Sequence, residues 1–148
     1  MPNQFDLLSI DTDFNDWYIW HAIEASYQPR VVVIEYNATH LPNEDRIVIY
    51  KPKGQWDGTN YFGASILALY NLGLHKGYSL VYANDSGINL FFIRNDVIEE
   101  CKAQGIEFIS TDNVHAIYRP SLYGKGPRGG HPRDRKRRRY VESSTILR

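Results

Sequence analysis

The segment Arg30-Val31-Val32-Val33-Ile34-Glu35-Tyr36 limits most strongly what this chain can become. Three consecutive valines and an isoleucine predict a strand buried on both faces, which is the habit of parallel sheets. An earlier apolar run, Phe5-Asp6-Leu7-Leu8-Ser9-Ile10, stops at Asp11 and has the length of a strand. Between the two lies a polar turn, Asp11-Thr12-Asp13-Phe14-Asn15-Asp16, ending in helix-capping residues. Trp20, Ile23 and Tyr27 then recur at helical spacing until Pro29. Strand, helix and strand within about 30 residues form a βαβ unit, whose crossover is expected to be right-handed. The fold class expected is therefore α/β.

Residues 37–58 read as a long polar loop with a candidate short strand over 47–50 and a Trp56-Asp57-Gly58 turn. Thr59 is placed to cap a helix whose inner face carries Phe62, Ile66, Leu69 or Tyr70, and Leu74, with Gly77 as its terminator. Tyr78–Tyr82 and Ile88–Ile93 flank a short polar connector, which predicts an antiparallel hairpin. A helix over Asp96–Gln104 and a last small strand over Glu107–Ile109 complete the body.

Charge divides the chain in two. Residues 1–118 hold seven Lys/Arg and fifteen Asp/Glu, whereas residues 119–148 hold ten and two, so a net charge of zero hides an acidic body and a basic end. The domain reading follows: 1–118 as the α/β body, and 119–148, rich in Gly, Pro and Arg, as a disordered tail. No apolar run approaches the roughly 18–20 residues of a membrane span. No leader is visible at Met1-Pro2-Asn3, and Cys101 alone excludes an internal disulfide or a Cys-rich zinc module. A cytoplasmic setting with no membrane partner is expected.

The candidate chemistry is acidic. Asp11, followed by Asp13, Asn15 and Asp16, and Glu35, followed by Asn37, stand at the carboxyl ends of two strands expected to be neighbours. Ligands of open α/β sheets bind in that crevice, and strands about 4.8 Å apart let both acids reach one small ligand or one hard cation. Such oxygen clusters suit Mg²⁺ or Ca²⁺ rather than zinc. The plainer alternative is that Asp13, Asn15 and Asp16 cap a helix while Glu35 is a solvated strand end.

Other motifs carry less. An EF-hand fails because its required glycine is Asp16 and its closing glutamate is Ala22. A Mg²⁺-dependent D-x-D phosphatase built on Asp11 and Asp13 would need a Ser or Thr such as Ser110 or Thr111, and it lacks a closing acidic pair. Gly124-x-Gly126-x-x-Gly129 copies the dinucleotide fingerprint in letters only, since Pro127 removes an amide and no helix follows. The five histidines show no ligand spacing, and Asn37-Ala38-Thr39 and Asn84-Asp85-Ser86 are sequons in letters only. The basic block 133–139 lacks interleaved aromatics, so nucleic acid is not expected as a partner except through that block.

The segments L-L-S-I-D-T-D-F-N-D-W-Y-I-W, R-V-V-V-I-E-Y-N, W-D-G-T-N-Y-F-G-A-S and N-L-F-F-I-R-N-D together resemble the carboxyl-terminal half of FkbM-like methyltransferases, over about residues 5–96. These are class I, S-adenosylmethionine-dependent enzymes with a Rossmann-like sheet. The resemblance implies strand four, helix, strand five, helix and an antiparallel strand pair, with methyl transfer to a hydroxyl of a small molecule or saccharide. It implies that Asp11 is a metal ligand or general base, and that Glu35 and Asn37 position Mg²⁺ or substrate. The glycine-rich cofactor half of the family lies ahead of strand four and has no counterpart here, so activity alone is not expected. The chain is then a fragment, one half of a split enzyme completed by a partner chain, or a binding module using its open strand edge or basic tail.

Overall fold

A computed structural model describes residues 3–148; the reading made at Met1 and Pro2 lies outside the described residues. In chain order the elements are β1 (Gln4–Ile10), α1 (Asp16–Ala22), β2 (Gln28–Glu35), β3 (Ile47–Val48), α2 (Ile66–Lys76), β4 (Tyr78–Ala83), β5 (Asn89–Arg94), α3 (Asn95–Ala103), α4 (Val114–Ile117), β6 (Tyr140–Val141) and α5 (Ser143–Ile146). Four strands make one mixed sheet in the order β1-β2-β5-β4, and β3 pairs with β6 separately. β1 and β2 are parallel, with Ile10 opposite Ile34, while β5 runs antiparallel to both β2 and β4. The mixed α/β class, the parallel pair and the antiparallel hairpin are as expected.

The hairpin connector explains its own sequence. Asn84 Oδ1 accepts from the amides of Ile88 and Asn89 at 2.8 and 2.9 Å, and Gly87 takes a left-handed φ of 68°. A β-carbon at Gly87 would stand 2.3 Å from the Pro120 carbonyl oxygen, so only glycine fits there. α2 begins six residues later than expected. Ser65 rather than Thr59 is its cap, accepting from the Ala68 amide at 3.2 Å. Thr59 instead folds back on Asp57, donating its hydroxyl to Oδ1 at 2.7 Å.

One face of the sheet carries the core. Val32, Ile34, Leu80, Leu90 and Phe92 pack with Trp17 and Trp20 of α1 and with Leu69 and Leu72 of α2. Trp20 tilts against Phe92 at 4.8 Å, and Trp17 Nε1 donates to the Ala68 carbonyl at 3.0 Å, which closes α1 onto α2. The opposite face is open. Val31 and Val33 are only half-buried, Leu7 is 57% exposed and Tyr82 45% exposed. The expectation that β2 is buried on both faces is therefore corrected: the valine run marks one buried face and one half-covered face. β1 is an edge strand, as its missing neighbour implied. Glu107–Ile109 forms no strand, and the Ile109 side chain is fully exposed.

The largest correction concerns residues 119–148, which are not a loose tail. Tyr36 Oη donates to the Arg119 carbonyl and Tyr61 Oη to the Arg139 carbonyl at 2.9 Å. β6 pairs with β3, setting Val141 opposite Ile47. The Asp45 carboxylate accepts from both the amide and the hydroxyl of Ser143. Part of the basic block finds its counter-charges in place: Arg138 reaches Asp57 at 2.8 Å and Asp134 at 3.1 Å, and stacks over the Tyr61 ring at 4.0 Å. An acidic body is what a basic segment needs to fold against. The segment 124–130 forms isolated bridges rather than a strand-to-helix turn, in keeping with rejection of the dinucleotide fingerprint. No helix among the described residues is long and apolar enough to cross a membrane.

Candidate functional site

Parallel pairing sends the carboxyl ends of β1 and β2 to the same edge of the sheet. Glu35 is the last residue of β2, and Asp11 follows the last residue of β1. The next residues turn sharply. Asp13 has a left-handed φ of 62°, a conformation that aspartate tolerates better than most residues. One carboxylate oxygen from each of Asp11, Asp13 and Glu35 lies within 4.8 Å of the other two. Among the described residues no histidine or cysteine joins this group.

Asp16 stands behind the three. It is fully buried at the start of α1, and its Oδ1 accepts from the Thr12 amide at 2.7 Å and the Thr12 hydroxyl at 3.1 Å. Its Oδ2 is buried without a partner, and so is Oε2 of Glu35. Burial pushes the Glu35 carboxyl up to about 8, with the charges of Asp16, Asp11 and Asp13 acting in the same direction. Burial likewise raises Asp16, against the lowering effect of its Thr12 hydrogen bonds. Glu35 is therefore protonated at neutral pH while nothing positive is nearby.

Asn37 does not join the site, which corrects its expected role as a ligand. Its amide nitrogen donates to the carbonyls of Asn60 and Phe62 at 2.8 and 2.9 Å. Its Oδ1 accepts from the Thr39 amide and hydroxyl. All four hydrogen-bonding positions of the amide are filled inside the protein, so none is left for metal or substrate. Asn15 is also turned aside, donating to the Lys51 carbonyl at 2.8 Å, with its Oδ1 buried and unpartnered. Ser110 and Thr111 precede Asp112, which is hydrogen-bonded in both directions to Leu80 of β4. β4 and β1 are opposite edges of the sheet, three strand spacings or about 14 Å apart. That separation removes the hydroxyl the phosphatase reading required.

The sequence did not signal the neighbours supplied by the C-terminal segment. His131 packs against Trp56 at 4.3 Å, Tyr123 at 5.3 Å and Phe62 at 5.6 Å. Burial lowers the His131 imidazole, and the Asp13 charge partly offsets that. Burial raises the Tyr123 phenol, and the Glu35 charge adds to the rise. Glycines and prolines around Tyr123 and His131 read as disorder, so only the fold could bring them to the acids.

Oxygen donors alone, two of them on exposed side chains and one on a half-buried side chain, can hold a hard divalent cation or receive a proton from a bound hydroxyl. No family model, curated protein or solved structure matches the chain.

Proposed function

We propose that the chain is the acceptor-side half of a methyltransferase-like α/β domain, and that Asp11, Asp13 and Glu35 hold a divalent cation of the Mg²⁺ type there. The observation that carries the reading is the convergence of the three carboxylates where two parallel strands end side by side. The sheet order supports it as well, since an antiparallel pair lies beyond the second parallel strand, as the resemblance to FkbM-like methyltransferases implies.

The donor set fits the cation. All three ligand atoms are oxygens, and the unpartnered Oε2 of Glu35 lacks the hydrogen bond that a purely structural acid would have. Bound there, a divalent cation would lower the proton affinity of a coordinated hydroxyl. The protein's own part is to release the Glu35 proton as the cation enters and to keep Asp16 buried behind it. Asp11 and Asp13, on the exposed side, face an incoming hydroxyl of a small molecule or saccharide.

S-adenosylmethionine, the cofactor implied by the resemblance, does not fit the described residues. The turn that leaves β1 is Asp11-Thr12-Asp13-Phe14-Asn15, with no glycine to bring backbone amides close to a ligand. No residue of the chain is assigned to that cofactor; a preceding segment or a partner chain that extends the sheet beyond β1 would supply it. The open edge of β1 favours a second reading, a binding module that recruits a partner by strand addition without catalysis.

Calorimetric titration of Mg²⁺ into the full chain near pH 8, followed by S-adenosylhomocysteine, tests both. Saturable cation binding that is lost in Asp11→Asn supports the site; its absence, or its persistence in that variant, overturns it. Binding of S-adenosylhomocysteine by the chain or by its complex with a partner supports the methyltransferase. Cation or partner binding without the cofactor favours the module.

A further inference from the structure

A cavity of about 880 Å³ lies away from the carboxylate cluster, between the loop 39–46 and the C-terminal segment. Its volume falls within the range of small-molecule sites. Six arginines and four carboxylates line it, which leaves an excess of two positive charges. The acids are largely spoken for. Glu44 pairs with Arg46 at 2.9 Å and with Arg128 at 3.6 Å, and Asp134 pairs with Arg138 at 3.1 Å. Asp45 is held by Ser143. Among the described residues, Arg133, Arg137 and Arg139 have no carboxylate within ion-pair distance.

These three guanidinium groups are carried on a loop built to hold them. Asp134 is buried beneath it, receiving the Lys136 and Arg138 amides on its two carboxylate oxygens at 3.0 Å each. Its own amide donates to Asn60 Oδ1 at 2.8 Å, which ties the loop to the body. With Asp134 pointing inward, Arg133, Arg137 and Arg139 are exposed, and all three line the cavity. Arg137 takes a left-handed φ of 50°, a conformation that costs energy for a long side chain. His40, 4% exposed, also lines the cavity, and its Nε2 is buried without a hydrogen-bond partner.

We propose that this cavity binds a small phosphorylated ligand carrying at least two negative charges, with its phosphoryl oxygens taken by Arg133, Arg137 and Arg139. Guanidinium groups match phosphoryl oxygens in pairs and remain charged at any working pH. The four carboxylates on the walls argue against a nucleic acid strand, whose extended backbone would meet them at close range. The inference is independent of the carboxylate cluster and stands whether or not a cation binds there.

The test uses inorganic pyrophosphate titrated calorimetrically into the full chain at physiological salt with EDTA present, so that no divalent cation bridges ligand and protein. One saturable site is expected, weakened roughly tenfold or more in Arg133→Ala and in Arg137→Gly, as loss of a charge-assisted hydrogen bond implies. Glycine at 137 relieves the left-handed backbone, so that variant should melt no lower than the parent. Arg139→Gln provides a third variant in case either of the others loses its thermal transition. No saturation in the millimolar range, or equal affinity in the folded variants, overturns the proposal. So does a single-stranded oligonucleotide that binds more tightly than pyrophosphate and gains affinity with length, which would make the surface a nucleic-acid contact.

Discussion

Asp16 and Glu35 each keep one carboxylate oxygen buried and without a hydrogen-bond partner, at the junction where β1 and β2 deliver the acidic cluster. Buried acids in that state favour the proton, because a charge there lacks both solvent and a counter-ion. Glu35 is held up to about 8, mainly by burial and then by the negative charges around it.

The stability of the free protein should therefore fall as pH rises. A carboxyl whose folded pKa lies above its ordinary value of 4.5 contributes most below that value. Its contribution is lost as pH climbs toward about 8, since the unfolded chain gives up the proton earlier. Asp16, also raised, acts in the same sense. Melting temperature followed by circular dichroism should decline across this window in the parent. The decline should be shallower in Glu35→Gln, which stays neutral throughout. Equal slopes would mean that Glu35 is ionised in the folded chain.

Cation affinity should rise with pH over the same window. A divalent cation must displace the Glu35 proton, so its apparent association constant should climb about tenfold per pH unit below the Glu35 pKa. Titrations of Mn²⁺ at several pH values check this. A pH-independent affinity would remove Glu35 from the ligand set, and Glu35→Gln should flatten the dependence.

Gly73 sits in α2 where Phe92 and Trp20 close on it. A β-carbon there would lie 2.7 Å from the Phe92 ring and 3.4 Å from Trp20. Alanine would gain about 1 kcal/mol in helix propensity, but overpacking costs about 1–3 kcal/mol. Gly73→Ala is thus expected to be neutral to destabilising by about 2 kcal/mol in urea melts, and a clear gain in stability would show that the core can yield.

Asp45 clamps the end of the chain through the Ser143 amide and hydroxyl, the latter at 2.7 Å. Asp45→Ala leaves those donors without their acceptor, and bonds to a charged group are each worth about 1.5–3 kcal/mol. The loss should appear locally, as faster tryptic cleavage within 133–139 while the sheet stays protected from hydrogen exchange. Uniform loss of protection would mean instead that the C-terminal segment and the sheet unfold together.

Much of the body was legible because its signals are local. The β1-α1-β2 unit, the β4-β5 hairpin and the α2 terminator at Gly77 follow from run length, turn chemistry and a left-handed glycine. Misreadings arose where a local signal had two meanings. A valine run states hydrophobicity but not how many faces are covered, and Val31 and Val33 are only half-buried. Asn37, two residues beyond Glu35, looked like a ligand until its amide proved to be used by Asn60, Phe62 and Thr39.

The segment 119–148 marks the limit of sequence reading. Glycine, proline and arginine lower local order, and no nearby residue in the chain offsets them. Asp57, Asn60, Tyr61 and Asp45 do so from 74 to 98 positions away, through Arg138, Asp134, Arg139 and Ser143. By itself the sequence determined the α/β class, the strand order along the chain and the acids at the strand ends, because periodicity and turn residues act over a few positions. The tertiary structure alone decided that Asp11, Asp13 and Glu35 converge, that one sheet face stays open and that the arginine loop is held over a cavity. Each of those depends on charges and hydrogen bonds between residues far apart in the chain, whose partners no local pattern announces.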